Sequence, residues 1–540
     1  MLSRLLKTQV KNTYFEETFM STATFPIAKE FSPALTEVNR SHRTATPCIM
    51  VIFGATGDLT ARKLVPAIYN LNKEKLLPSH FACVGFARRK KTDEDFRQEM
   101  MEGINSFSRT RPVDKSMWNT FSEQLYYHMA EFHEDEGYIR LAKLLEDLDI
   151  KYGTKGNRVF YLSTQPSFFP LIIQKLSQHN LIYNEVESPD KWSRVIIEKP
   201  FGFDLKSAKE LQKEISQYLN ESQIYRIDHY LGKETVQNLL VFRFSNPLFE
   251  AIWNNSHIDN VQITVGEEIG IGNRGRFFEE AGMLRDIVQN HMMQLLSLVC
   301  MEPPNSLKAE AIHNEKVKVI ESIRPFSIDQ MDRLIIRGQY GPGLINGQPV
   351  NGYRQEENVH PQSQVETYVA LQLFIDNWRW SGVPFYLRAG KRLPKRATEI
   401  AITFKAVPGF LFNDAGKTIE QNVLVIRIQP DEGISLKINC KVPGINSPIQ
   451  PVKMDFQYGS YFGATPPEAY ERLILDCMSG DNTLFARADE VLASWRLLSP
   501  ILHHWQDNPV PCFPNYAAGT WGPEEANQLL AQSGRKWSLI

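Results

Sequence analysis

Everything that would place this chain among stapled, membrane-spanning or nucleic-acid-coating proteins is scarce or missing. Cysteine is thin: six in 540 residues (Cys48, Cys83, Cys300, Cys440, Cys477 and Cys512), irregularly spaced and with no CxxC. That pattern argues against a disulfide framework or a thiolate zinc site, and fits reduced thiols in a cytoplasmic compartment. No apolar run reaches the roughly 18–20 residues that span a bilayer, so no membrane partner is expected. Neither charge dominates, with 60 Lys+Arg against 62 Asp+Glu. Without a basic field the chain lacks a nucleic-acid footprint, and an anionic substrate must be caught by a local basic cluster. Internal repeats, low-complexity tracts and an HExxH motif are absent, so no metal is expected.

What is present is enough chain for two domains, since single cores stop growing at roughly 250–300 residues. Residues 1–45 read as a disordered extension. Met1 to Phe15 carries Arg4, Lys7 and Lys11 without an acidic residue, as a targeting segment would, but Glu16 and Glu17 follow at once. From Pro47, short apolar runs alternate with helical patterns: CIMVIFG, FACVGFA, QLYYHMA, RVFYLS and RVIIEKP, separated by stretches such as Asp93–Met101, Tyr138–Leu148 and Phe168–Leu176. This alternation predicts a parallel α/β sheet over residues 46–228, of the Rossmann type, with a further helix at Leu205–Leu219. After about Arg226 the alternation stops. Helical patterns at Glu234–Arg243 and Glu280–Met301 mix with strand-like VQITVG, ETYVALQLFI, EIAITF and NVLVIRIQP. Residues 229–540 are therefore expected to form a larger α+β domain with a mainly antiparallel sheet.

The first strand runs straight into Gly54-Ala55-Thr56-Gly57-Asp58-Leu59. Glycines at a strand-to-helix turn let the backbone approach a pyrophosphate, and the helix N-terminus attracts its charge. The spacing is GxxGDL rather than GxGxxG, so the motif alone would also suit a plain tight turn. The second strand ends in Arg88-Arg89-Lys90-Lys91, where an NAD site would carry an acid for the ribose hydroxyl. A basic run suits a 2′-phosphate, and NADP is favoured, with Arg88 as the contact; a solvated loop is the bland alternative.

The most specific stretch is Arg226-Ile227-Asp228-His229-Tyr230-Leu231-Gly232-Lys233-Glu234. His229, Tyr230 and Lys233 are donors suited to a phosphate, and Gly232 would let the chain turn around it. With this motif in place, the chain closely resembles the glucose-6-phosphate dehydrogenase family from about Thr46 to Pro523. The resemblance rests on GATGDL, EKPFG (Glu198–Gly202), RIDHYLGKE, RDIVQNH (Arg285–His291), LRAGK (Leu387–Lys391), YERLI (Tyr470–Ile474) and WGP (Trp521–Pro523), in that order.

The resemblance implies oxidation of glucose 6-phosphate at C1 with reduction of NADP, the first step of the oxidative pentose phosphate pathway. The phosphate would be held by Lys199, His229, Tyr230 and Lys233, with Lys199 also reaching the coenzyme. The sugar hydroxyls would meet Glu267, Asp286, Lys391, Arg396 and Gln429. His291 would be the base, Pro200 would follow a cis peptide, and the protein would be a homodimer or homotetramer built on the C-terminal sheet. The chemistry agrees: C1 cannot lose a hydride unless its hydroxyl loses a proton, and an imidazole is a suitable acceptor. An acid must orient that imidazole. Asp286 lies five residues before His291, about 140° around an α-helix and hence on another face. Asp228, from a different segment, is the better orienter.

Eukaryotic cytosolic members of that family carry a second, structural NADP near the C-terminal sheet. Arg388, Arg427 and Asp455 would fit such a site, but Ala397, Ala401 and Trp521 stand where those members have basic side chains. The pattern resembles bacterial members without it. Two rival readings are another Rossmann-type sugar oxidoreductase, which would not need the His-Tyr-Lys grip, and a silent NADP-binding regulator, which would tolerate loss of His291 or Asp228.

Overall fold

The computed structural model describes residues 45–183, 190–408, 419–444, 449–463 and 466–538. The expected N-terminal extension, Ala45 apart, lies outside them.

Six parallel strands form the first sheet: β1 (Cys48–Phe53), β2 (Phe81–Ala87), β3 (Leu125–Met129), β4 (Arg158–Leu162), β5 (Ser193–Ile197) and β6 (Ile224–Ile227). Their spatial order is β3-β2-β1-β4-β5-β6, the doubly wound order whose chain direction reverses beside β1. Every residue of β1, β2 and β4 is buried, as uninterrupted apolar runs require when helices cover both faces. Those helices are α1 (Val65–Lys73), α2 (Asp93–Phe107), α3 (Asp135–Tyr152), α4 (Phe169–Gln178) and α5 (Leu205–Ile215). Thr92 and Asp95 form a capping box at the start of α2, and Gly153 ends α3 in the left-handed conformation at φ 64°.

The sheet is not wholly local. The two-residue strand Phe485–Ala486, far along the chain, pairs antiparallel with β6. The short helix Lys115–Ser122 and the strand β6 itself are further elements that the apolar pattern did not announce.

The second sheet has eight strands: β7 (Ile258–Gly266), β8 (Ile335–Gly338), β9 (Tyr368–Phe374), β10 (Pro384–Gly390), β11 (Ala397–Phe404), β12 (Val423–Gln429), β13 (Gly433–Lys441) and β14 (Ile449–Gln457). Their order is β14-β13-β12-β11-β7-β10-β9-β8, antiparallel except for the β7–β10 pair. A mainly antiparallel sheet is what the alternating patterns predicted.

One expectation fails in an informative way. The helix expected over Glu280–Met301 starts within α6 (Gly275–Met283) and is broken at Gly282 (φ 64°, ψ 176°). A β-carbon there would sit 2.5 Å from Glu366 Oε1. Glu366 satisfies the broken end, accepting from Leu284 N at 3.0 Å through its carboxylate and from Met283 N at 3.1 Å through its carbonyl. Beyond the break, Leu284–Met292 winds as a π-helix before α7 (Met293–Cys300) resumes the α form.

Candidate active site

The π-helix changes which residues share a face. With bonding between i and i+5, residues five apart return to nearly the same side, whereas on an α-helix they diverge. Asp286 and His291 accordingly converge rather than point apart, correcting the α-helical estimate. Both meet Lys199: its ammonium donates to the Asp286 carbonyl at 2.9 Å, to Asp286 Oδ1 at 3.1 Å and to His291 Nε2 at 2.9 Å. The Lys199–Pro200 peptide at the end of β5 is cis.

Asp228 is still the direct partner of the imidazole, with Oδ1 2.5 Å from His291 Nδ1. The same oxygen accepts the Tyr230 backbone N–H at 2.9 Å. Both side chains are buried, at 1% and 2% exposure. Burial alone would raise the Asp228 carboxyl, but His291, His229 and the Tyr230 N–H outweigh it and hold the group well below the usual carboxylate range. Burial draws the His291 imidazole down against the pull of Asp228. With Lys199 donating to Nε2, the ring's own proton is assigned to Nδ1, facing Asp228.

The rest of the motif packs around that ring. Tyr230 stacks on His291 with centroids 4.2 Å apart at 18°, and His229 meets it edge-on at 4.6 Å. The ligand atoms of Asp228, His229 and His291 all fall within 4.8 Å of one another, a convergence that no spacing in the sequence signalled. Lys233 Nζ lies 4.4 Å from the centre of the Tyr230 ring and donates to Gln429 Oε1. Arg396 donates to that oxygen at 2.9 Å, while Gln429 Nε2 donates to the Tyr230 hydroxyl and to Thr398 Oγ1 at 3.2 and 3.0 Å. Lys391, fully buried, pairs with Glu267. Burial would raise Asp286, yet Lys199 and Lys391 hold it well below its ordinary value. The substrate residues named from sequence therefore lie in linked clusters, drawn from β5, the loop after β6, β7, the π-helix and β10 to β12.

Gly232 serves differently from expected. Its φ is not positive, so no sharp turn demands glycine; instead a β-carbon would meet the Ala469 carbonyl at 2.7 Å.

The coenzyme turn is made of backbone. Gly54 has φ +83°, and a β-carbon there would lie 2.2 Å from the Ser163 carbonyl oxygen. The N–H groups of Gly54 and Ala55 donate to the Phe86 carbonyl at 2.9 and 3.2 Å, which ties the turn to β2. Thr56, Gly57, Asp58 and Leu59 follow, helical from Asp58, and Asp58 pairs with Arg62 at 2.7 Å. Arg88 is exposed just past β2. A cavity of about 1130 Å³ is lined by Lys199, Pro200 and Asp286 together with Phe203 and Phe277.

The residues considered for a second dinucleotide have internal partners. The Arg388 guanidinium lies over the rings of Trp521 and Trp537 at 4.7 and 4.4 Å, and Arg427 pairs with Asp455 at 2.8 Å. The six cysteines are free thiols, and no helix among the described residues is long and apolar enough to cross a membrane.

A doubly wound sheet with a glycine turn on its first strand, facing an imidazole–carboxylate pair, is the architecture of a nicotinamide-dependent dehydrogenase. Comparison with known proteins narrows the class. The sequence profile of the glucose-6-phosphate dehydrogenase NAD binding domain matches residues 51–238, and that of the glucose-6-phosphate dehydrogenase C-terminal domain matches residues 240–538. Similar proteins include a glucose-6-phosphate 1-dehydrogenase of Chlamydia pneumoniae, 57% identical over 92% of this chain and 97% of the relative. Another, glucose-6-phosphate 1-dehydrogenase 2 of Mycobacterium bovis, is 45% identical over 92% of this chain and 96% of its own length. A solved glucose-6-phosphate dehydrogenase in complex with its substrate glucose-6-phosphate superposes with a TM-score of 0.83 at 37% identity, covering 92% of this chain and 99% of that one. The glucose-6-phosphate 1-dehydrogenase of Mycobacterium avium gives 0.78 at 33% identity, over 92% and 99%. The chain belongs to the glucose-6-phosphate dehydrogenase family.

Proposed function

We propose that the protein oxidises D-glucose 6-phosphate at C1 to 6-phospho-D-glucono-1,5-lactone and reduces NADP+ to NADPH, the first step of the oxidative pentose phosphate pathway. The observation that carries this reading is the convergence of His291, Asp228 and Lys199 at the mouth of a dinucleotide-type sheet. Residues 46–228 would bind the coenzyme, and residues 229–540 the sugar and a second copy of the chain. The turn at Gly54 fits a pyrophosphate because it leads from the end of β1 into a helix that begins four residues on, while the glycine itself is demanded by the Ser163 carbonyl packed against it. Gly54 to Leu59 and Lys199 would hold NADP, with Arg88 toward a 2′-phosphate. When bound, the nicotinamide supplies the hydride acceptor.

The side chains divide the remaining work. Lys199 spends its three donors on Asp286 and His291. A sugar phosphate reaching Lys199, His229, Tyr230 and Lys233 draws that ammonium away and leaves His291 Nε2 open to the C1 hydroxyl. His291 accepts the hydroxyl proton, and Asp228 holds the ring's tautomer and stabilises the imidazolium. Glu267, Asp286, Lys391, Arg396 and Gln429 orient the sugar. The uncovered outer strand β14 and the segment after it, with Met454, Tyr461 and Phe462 exposed, support a homodimer or homotetramer. The free thiols support a cytoplasmic setting.

The test is the absorbance of reduced nicotinamide, with purified protein, glucose 6-phosphate and NADP+, beside free glucose and NAD+. Turnover confined to the phosphorylated sugar is expected. Equal rates with NAD+ would remove the coenzyme preference, and no turnover from folded protein that binds NADP would favour a silent regulator.

A further inference from the structure

The helix α8 (Ala469–Ser479) lies outside both binding sequences yet touches both. On one side its third residue and the residue just before it hold the first sheet's layer. Glu471, 1% exposed, accepts both arms of the Arg109 guanidinium at 2.8 Å and the side-chain amide of Asn70 in α1, also at 2.8 Å. Glu468 accepts from Lys63, just before α1, at 2.7 Å. On the other side, Ala469 and Leu473 pack against Gly232 so closely that a β-carbon there would lie within 3.0 Å of both.

Between these anchors stands Tyr470. Its ring lies parallel to His229, with centroids 6.5 Å apart and planes 8° apart. Its hydroxyl donates to Glu198 Oε1 at 3.2 Å, and the Tyr161 hydroxyl of β4 donates to the same oxygen at 2.5 Å. Glu198 is the residue before Lys199 and is within electrostatic reach of it. Burial raises the Glu198 carboxyl, and the two tyrosine hydrogen bonds and Lys199 draw it part of the way back down; as a carboxylate it competes with a phosphate for that ammonium, and each hydrogen bond it accepts from a tyrosine lowers its demand on Lys199.

Resting on the proposed reaction, we infer that Tyr470 is a positioning residue, which holds Glu198 away from Lys199 and so keeps that lysine available to the sugar's phosphate. It acts through Glu198 and Lys199, with α8 fixed by Glu471 so that the hydroxyl is presented at one height above the sheet edge. Tyr470→Phe keeps the ring against His229 and removes only the donor.

The test measures steady-state kinetics with glucose 6-phosphate and with free glucose for wild type, Tyr470→Phe and Tyr470→Phe/Glu198→Gln. In the single variant, KM for glucose 6-phosphate is expected to rise about tenfold, equivalent to about 1.4 kcal/mol. Because Lys199 would also reach the coenzyme, the coenzyme KM should rise less than the KM for glucose 6-phosphate, and the kinetics with free glucose should change far less than those with the phosphorylated sugar. The double variant lacks the competing carboxylate and is expected to recover most of the lost affinity. An unchanged KM, an equal loss on both sugars, or no recovery in the double variant would overturn the assignment. Calorimetric titration with inorganic phosphate reads the same grip without turnover. Its Kd should rise about tenfold in Tyr470→Phe, so a protein that turns over neither sugar would sink the proposed reaction and leave this inference decided by phosphate alone.

Discussion

The two halves of the candidate site are built from different materials. At the proposed coenzyme end, a short continuous segment, Gly54 to Leu59, offers mainly backbone, with Gly54 packed against the Ser163 carbonyl. At the proposed sugar end, side chains from at least six separated segments meet, most of them charged and several fully buried, such as Lys391 and His291. A backbone site is strict about volume, and its preference for an anion comes from fixed dipoles that do not titrate. A site of buried charges depends instead on groups held in their ionisation states by their neighbours.

The contrast can be broken or sharpened by substitution. The largest effect should come from the sugar end. His291→Asn removes the proton acceptor and is expected to lower kcat about 10²–10⁴-fold. Asp228→Asn should lower it sharply as well, with the folded structure retained in circular dichroism; turnover close to wild type would remove Asp228 from the mechanism. At the coenzyme end, Gly54→Ala should cost about 1–2 kcal/mol for its left-handed conformation, with the overlap on the Ser163 carbonyl added. A lower Tm and a coenzyme KM raised more than the sugar KM would register it, and an unaltered coenzyme KM would count against a pyrophosphate cradle.

A pH profile probes charge at one end only. Burial, helped by Arg396, draws the Lys233 ammonium down to about 8. Below that pH Lys233 is charged and grips a phosphate; above it the group is neutral and the grip weakens. The KM for glucose 6-phosphate should therefore climb as pH passes about 8, and Lys233→Met should flatten that rise while raising KM throughout. The smallest effect is expected from Arg88→Ala. An exposed cation facing a 2′-phosphate should change the ratio of NADP to NAD efficiency by about tenfold or less, with sugar kinetics untouched; an unchanged ratio would assign selectivity elsewhere.

The same contrast explains what could be read from residues alone. Long apolar runs announced β1, β2, β4 and β5, since a strand buried on both faces has no other way to be written. GATGDL stands out in the sequence because the strand-to-helix turn it forms is local. Asp228 as the partner of His291 was reached by rejecting Asp286, and the rejected step assumed an α-helix. The apolar pattern of Leu284–Met292 does not distinguish five-residue from four-residue winding; the cause lies in the Gly282 break and in Glu366, some eighty residues further on. Glycine at position 232 suggests a turn because glycine usually means one, whereas its neighbour Ala469 is visible only in three dimensions. Tyr470 and Glu198 stood inside recognisable motifs, YERLI and EKPFG, but a motif does not say that they share a hydrogen bond.

The strand Phe485–Ala486 bears on how the chain is made. On the ribosome, β1 to β6 emerge early and could assemble at once, yet the outer edge of β6 stays unpaired until some 260 residues later have been synthesised and have left the exit tunnel. During that interval the nascent chain exposes backbone donors and acceptors ready to pair with another chain. A pause or truncation before residue 485 would leave a nearly complete protein with an open edge, a natural point for chaperone engagement and for aggregation of unfinished products.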